Sequence, residues 1–413
     1  MRRGSGIAAV LALGALVAAG CGGGGGGAGP ATLNLWVFNE PSGSFTDAAK
    51  RCTDSSGGRY RIVYNKLSNN ADQQRQSLVR RLAAQDSSID IMGMDVIWTA
   101  EFAEAKWIKA WPERFARQLR AGTLKGPLAT ATYKGRVYAA PANTNTQLLW
   151  YRKDLVKNPA DTWEGLIKQA SSLPKAGRIE IQGAQYEGVV VWFNSLVQSA
   201  GGTIIANNRV TPSPAWDTAA KIMHDLATSK AADPSLSVIK EDQARLAFEQ
   251  GNAAFELNYP FIYPSAKAGN PKVFKEIGWK PYPGVEAGKP GRAPIGGINW
   301  GVGSYTKHPN EAFAAAACLR NEANQREAAA KGGLPPTLAK IYDDPKFKKD
   351  YPFADLIRAS VDKGAVRPQT PAYADVSLAI AKTVSPPTSI TVKGFANDLK
   401  TKLQDALDSK GLI

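Results

Sequence analysis

Side chains that could do chemistry gather where this 413-residue chain loses its regular periodicity: Asn39-Glu40, Asp95 with Trp98, Asn145 with Trp150-Tyr151, and Tyr186-Glu187 with Trp192. Carboxylates and amides hydrogen-bond to hydroxyl groups, and aromatic rings offer flat apolar faces. A neutral carbohydrate has the matching features, C–H faces bordered by a rim of hydroxyls. Any single aromatic in such a set is more often core than ligand platform, and Trp98 and Trp150 in particular also read as packing residues. Other chemistries have weaker support. The two histidines, His224 and His308, stand in no metal-ligand spacing, so neither a transition-metal site nor a cofactor is expected. No G-x-S-x-G elbow and no loop ending in Gly-Lys-Ser/Thr occurs. Spacing alone leaves open a Ser-His-Asp triad, or paired carboxylates of a glycosidase, whose separation a sequence does not measure.

The elements that must hold these residues follow from periodicity. Leu33, Leu35 and Val37 alternate with Asn34, Trp36 and Phe38, which predicts a strand over Thr32–Asn39. Pro41-Ser42-Gly43 ends it. Ser44 then stands where it can cap a helix with Phe45, Ala48, Ala49 and Cys52 on one face, stopped by Gly57-Gly58. A strand at Tyr60–Tyr64, a helix at Ala71–Gln85 and a strand at Ile89–Met94 follow, the last running into Asp95. This order implies a parallel, helix-covered sheet with ligands beyond its carboxyl ends, where Asn39, Glu40 and Asp95 fall.

Residues 137–146 have no helical period and contain Pro141, so they read as an extended crossover to a second domain. A helix near Thr162–Ser172, a hairpin at Thr203–Val210 turned by Asn207-Asn208, a helix at Glu241–Gln250 and a strand at Ala253–Asn258 come next. Residues 295–299 read as the return crossover, with Gly296 and Gly297 permitting close backbone approach. The last hundred residues are mainly helical in pattern, and no internal repeat is present.

At the start, Arg2-Arg3 precedes an apolar run from Ile7 to Gly20. A helix crossing the roughly 30 Å hydrocarbon core needs about 20 residues, so this run has the proportions of a secretory signal instead. Ala18-Ala19-Gly20-Cys21 resembles a bacterial lipobox, in which the cysteine is lipidated; an ordinary signal peptide with an incidental cysteine is the alternative. Gly22–Gly27 would be a flexible tether. The expected location is therefore extracytoplasmic, lipid-anchored to the cell membrane.

With 44% hydrophobic and 21% charged residues, the remainder suits a globular chain long enough for two domains. The formal charge of +15, or +13 without Arg2 and Arg3, is spread out rather than gathered in an aromatic-studded stripe, which argues against nucleic acid. An anionic envelope surface suffices as its counterpart. Cys52 and Cys318 form an even pair in an oxidising compartment, so a disulfide is expected, with two buried free thiols as the alternative.

Lipobox, glycine run, α/β start, extended crossover and Gly332-Gly333-Leu334-Pro335 together resemble the extracellular sugar-binding lipoproteins of ABC importers. The strings at 95–105, 144–152, 244–251 and 365–368 are similar to the trehalose-binding members found in mycobacteria. That resemblance implies an α/β, two-lobed periplasmic-binding-protein-like fold (type II solute-binding protein) with hinge crossovers. The N-terminal lobe would comprise 31–142 plus about 299–345, and the C-terminal lobe about 146–295 plus about 346–413. It follows a signal peptide at 1–20 and a lipidated tether at 21–30. Carried over by motif, the ligand contacts are Asn39, Glu40, Asp95, Asn145, Glu241, Tyr259, Gly297 and Arg367, with Tyr259 stacking on the sugar. Cys21 would carry lipid, and the equivalents of Cys52 and Cys318 are bonded in the family. The implied partners are a disaccharide, trehalose above maltose-like α-glucosides, and the transmembrane subunits of an ABC permease. The protein is expected to be a monomer and not an enzyme. Two departures bear on sugar choice: Tyr259 replaces a tryptophan, and the segment 263–282 is shorter than in the mycobacterial proteins.

Overall fold

The computed structural model describes residues 29–409; the signal-like segment, Cys21 and Gly22–Gly27 lie outside the described residues. Leu33, Leu35 and Val37 are fully buried, and their strand, Ala31–Phe38, is the hub of the first sheet. It pairs in parallel with Tyr60–Leu67 on one side and Ile91–Asp95 on the other. The helix Ser44–Asp54 packs its Phe45, Ala48, Ala49 and Cys52 face inward, as the spacing predicts. Its capping differs from expectation. Gly43 holds the cap position at φ +82°, and Ser44 is the first helical residue. The Glu40 carboxylate accepts from the Ser42 and Ser44 amides and from the Ser44 hydroxyl at 2.8–2.9 Å. A carboxylate satisfies the first orphan amide of the helix together with an amide of the turn before it, and complements the helix's positive end, which a serine hydroxyl does less well.

Within the first sheet the parallel order holds for those three strands only. Residues 296–302 return as a strand antiparallel to Ile91–Asp95, and Ala139–Asn145 pairs antiparallel on its far side. Both segments read as crossovers are thus also strands, because each must satisfy its backbone groups while passing between lobes. A second sheet has the order Ile277–Lys280, Leu148–Arg152, Phe255–Asn258, Ile179–Glu180. The architecture is the mixed α/β, two-lobed one expected.

Each sheet is covered on both faces. Phe45, Trp300 and Phe313 pack on one face of the first, and Leu78, Met92, Trp98 and Phe102 on the other. In the second, Trp163, Trp192, Phe193 and Trp216 form one core, joined by the C-terminal helices Tyr373–Val384 and Phe395–Leu407. Trp150, Phe248, Ile262 and Phe353 form the other, and Ile341 and Tyr342 already belong to it. Asn207 and Asn208, at φ +50° and +56°, turn the short ribbon 205–210 as predicted. Cys52 and Cys318 are joined in a disulfide with Cα atoms 5.8 Å apart, tying the helix Ser44–Asp54 to Pro309–Leu319. Among the described residues no helix is long and apolar enough to cross a membrane.

Candidate functional site

The carboxyl ends of the first-sheet strands, the two crossovers and the second lobe surround a cavity of about 620 Å³, counting space open to solvent. Six of the eight residues singled out from the sequence line it: Asp95, Asn145, Glu241, Tyr259, Gly297 and Arg367. Asn39 and Glu40 are not among its lining residues. Asn39 is exposed, with its amide donating to the Leu67 carbonyl, and Glu40 is buried under the helix it caps. Phe38, Asn143, Tyr186, Glu187 and Leu334 also line the cavity. Asn143 stands inside the non-periodic crossover and Tyr186-Glu187 inside an aromatic–carboxylate pair, so a sequence signal for them exists.

Arg367 is the electrostatic centre. Its Nη1 donates to Glu187 Oε1 at 2.6 Å and its Nη2 to Asp95 Oδ1 at 2.9 Å, so it joins the second lobe to the end of a first-lobe strand. Only 4% of Arg367 is exposed. Burial opposes its charge, but the carboxylates of Asp95 and Glu187 outweigh that and hold the guanidinium firmly protonated. Its Nε has no hydrogen-bond partner, nor does the buried Asn143 Oδ1. Buried polar atoms left unpaired are costly, and both belong to residues that line the cavity.

Glu241 opens the helix Glu241–Glu249, with its carboxyl beside Tyr186. Burial raises the Glu241 carboxyl and, more strongly, the Tyr186 phenol. Tyr259 follows the strand Phe255–Asn258, its amide held by Asn258 Oδ1 at 2.9 Å. Asn258 Nδ2 donates to the Glu241 carbonyl at 3.0 Å and to Glu256 Oε1 at 2.6 Å, which locks the two site residues to one strand end. Gly297 adopts φ +127°, and a Cβ there would stand 2.3 Å from the Asn143 carbonyl oxygen. Only glycine lets the returning strand lie this close to the outgoing one.

The other aromatic candidates are structural. Trp150 is fully buried and donates from Nε1 to the Asn258 carbonyl at 2.8 Å, and Trp192 lies in the second-lobe core. Trp98 stacks near Phe102 and reaches a neighbouring cavity of about 780 Å³ that shares Ala71, Tyr186 and Glu187 with the first. Among the described residues no group of three or more histidine, cysteine or acidic side chains is placed to hold a metal ion.

A cavity between two α/β lobes, lined by polar groups from both and crossed by an ion pair, defines a ligand-capturing protein. The profile of the bacterial extracellular solute-binding protein family matches residues 45–326, and the chain belongs to that family. As a member it binds a solute outside the cytoplasm and is not an enzyme. It is 26% identical over 314 residues to a probable ABC transporter-binding protein of Deinococcus radiodurans, spanning 70% of this chain and 72% of that one. Its fold matches maltose-bound MalE3 of T. maritima with a TM-score of 0.82 at 23% identity, covering 91% of this chain and 99% of the other. The GacH receptor of Streptomyces glaucescens, studied with acarbose, matches with a TM-score of 0.82 at 21% identity, covering 92% and 99%.

Proposed function

We propose that this protein captures a disaccharide, trehalose in the first place, and delivers it to the transmembrane subunits of an ABC importer while held to the membrane by lipid on Cys21. The carrying observation is the interlobe cavity, where Asp95, Asn143, Asn145, Glu241 and Arg367 offer donors and acceptors beside the rings of Phe38, Tyr186 and Tyr259. Rings cover the C–H faces of a sugar and the polar groups take its hydroxyls. The lobes are 31–142 plus about 299–345, whose last turn packs Ile341 and Tyr342 on the second lobe, and about 146–295 plus about 346–413, pivoting on the two crossovers. Ligand contacts on both lobes favour closure, and the closed form docks on the permease. Asn39, exposed beside the cavity-lining Phe38, stands at the rim of the cleft, and Glu40 orders the loop behind it by holding the helix start. The protein works as a monomer.

A maltose-like α-glucoside is the second reading, supported by similar structures, one bound to maltose and another studied with acarbose. Calorimetric titration with trehalose, maltose, sucrose and glucose separates the two. Tight trehalose binding is expected; no heat with trehalose and tight maltose binding would select the second reading. Silence with all four would remove the disaccharide proposal.

A further inference from the structure

Glu187 lines the cavity, yet its carboxylate is already engaged. Oε1 accepts from Arg367 Nη1 and from the Tyr373 hydroxyl, both at 2.6 Å, and Oε2 accepts from the Ser377 hydroxyl. It is 5% exposed and opens the helix Glu187–Ser199. With three donors on two oxygens it has little capacity left for a ligand hydroxyl. What it holds is more telling. Arg367 reaches the first lobe through Asp95. Tyr373, on a helix whose neighbours pack in the second lobe, buries its ring in the first-lobe cluster of Met92, Met94, Val96, Trp98 and Phe102. One second-lobe carboxylate therefore carries both an ionic arm and an apolar arm that meet the opposite lobe.

We propose that Glu187 is a positioning residue for closure: by fixing Arg367 and Tyr373 as one unit, it makes both arms engage the first lobe together, so that sugar capture and lobe closure are coupled. The proposal rests on the sugar-binding reading for its affinity readout and is independent of it for its closure readout. Without the carboxylate's charge, Arg367 keeps only Asp95, and the Tyr373 hydroxyl loses its charged acceptor. Charge-assisted hydrogen bonds are about twice as strong as neutral ones, and a buried charge stripped of a partner is strongly penalised. Burial raises the Glu187 carboxyl, but Arg367 and the hydroxyls of Ser377 and Tyr373 oppose that rise.

The test compares the wild-type chain with Glu187→Gln, Glu187→Asp and Tyr373→Phe by calorimetry with trehalose and maltose and by small-angle X-ray scattering without sugar. Glu187→Gln is expected to weaken binding by at least about 30-fold, Glu187→Asp to recover much of that because charge is kept, and Tyr373→Phe to lose about 3- to 10-fold. Sugar-free Glu187→Gln should also scatter as a more open particle than wild type. Glu187→Gln binding within threefold of wild type overturns the proposal, as do equal losses in the Gln and Asp variants, which would mark shape rather than charge. Should Glu187→Gln fail to fold, wild-type affinity in both Glu187→Asp and Tyr373→Phe overturns it. If the wild type binds neither sugar, the sugar reading fails by itself, and unchanged scattering between wild type and Glu187→Gln then refutes the closure role separately.

Discussion

Replacing Glu180 by glutamine is expected to stabilise the protein above neutral pH. Glu180 lies in a strand of the second sheet with 0% exposure, and neither carboxyl oxygen has a hydrogen-bond partner. Parallel pairing sets it beside Glu256, which is equally buried. Burial, aided by the nearby Asp233 carboxylate, pushes the Glu180 carboxyl up from 4.5 to about 8. Because the folded-state value is the higher one, the native protein keeps a proton that the unfolded chain releases. The associated stability is whole below about pH 4.5, declines as pH rises, and is gone above about pH 8. At about 1.4 kcal/mol per pH unit, the full span integrates to roughly 4–5 kcal/mol, which relaxation and water entry around the buried charge reduce to about 2–4 kcal/mol. Glutamine preserves the shape and does not titrate. Urea unfolding of wild type and Glu180→Gln at half-unit steps from pH 5 to 9 reads this directly. The two curves should lie within about 1 kcal/mol at pH 5 and separate in favour of the variant by about 2–4 kcal/mol at pH 8.5. Parallel pH profiles, or a variant weaker than wild type at pH 8.5, would refute the reasoning.

Asp95→Ala and Arg367→Ala should each weaken sugar binding more than about 100-fold in calorimetry, while circular dichroism shows a folded chain, because each removes a charged ligand group and its partner's counter-ion. Near-normal affinity in both would place the site elsewhere. Gly297→Ala forces a Cβ into the Asn143 carbonyl at φ +127°, so it should cost about 2–3 kcal/mol in denaturant unfolding and weaken binding as well. Replacing Cys52 and Cys318 together by serine opens a link spanning 266 residues and should cost about 2–5 kcal/mol, with sugar affinity unchanged because the bond lies in helices that do not line the cavity.

Much of the first lobe is legible in the sequence, since it rests on local periodicity. The alternation of Leu33, Leu35 and Val37, the apolar face of Ser44–Asp54 and the strand leading to Asp95 all come from neighbouring residues, and the structure keeps them within a few positions. The placing of Asp95 at a carboxyl strand end follows from the β-α-β order alone, as the handed connections of parallel sheets leave few options. The pairing of Cys52 with Cys318 was equally accessible, from parity and compartment.

The family resemblance names six residues that line the cavity, but tertiary structure alone decided how the polar groups there are paired. Glu40 looks like a site residue by position, but its carboxylate turns to the helix start that its own loop creates. Glu187 sits 180 residues from Arg367, and Asp95 lies 272 residues from it, so no local pattern reveals that one guanidinium joins them. The antiparallel entry of Gly296–Val302 depends likewise on a chain returning from the other lobe. Periodicity records the face a side chain presents within its own element. Contacts made by bringing distant elements together depend on packing that no short window of sequence contains.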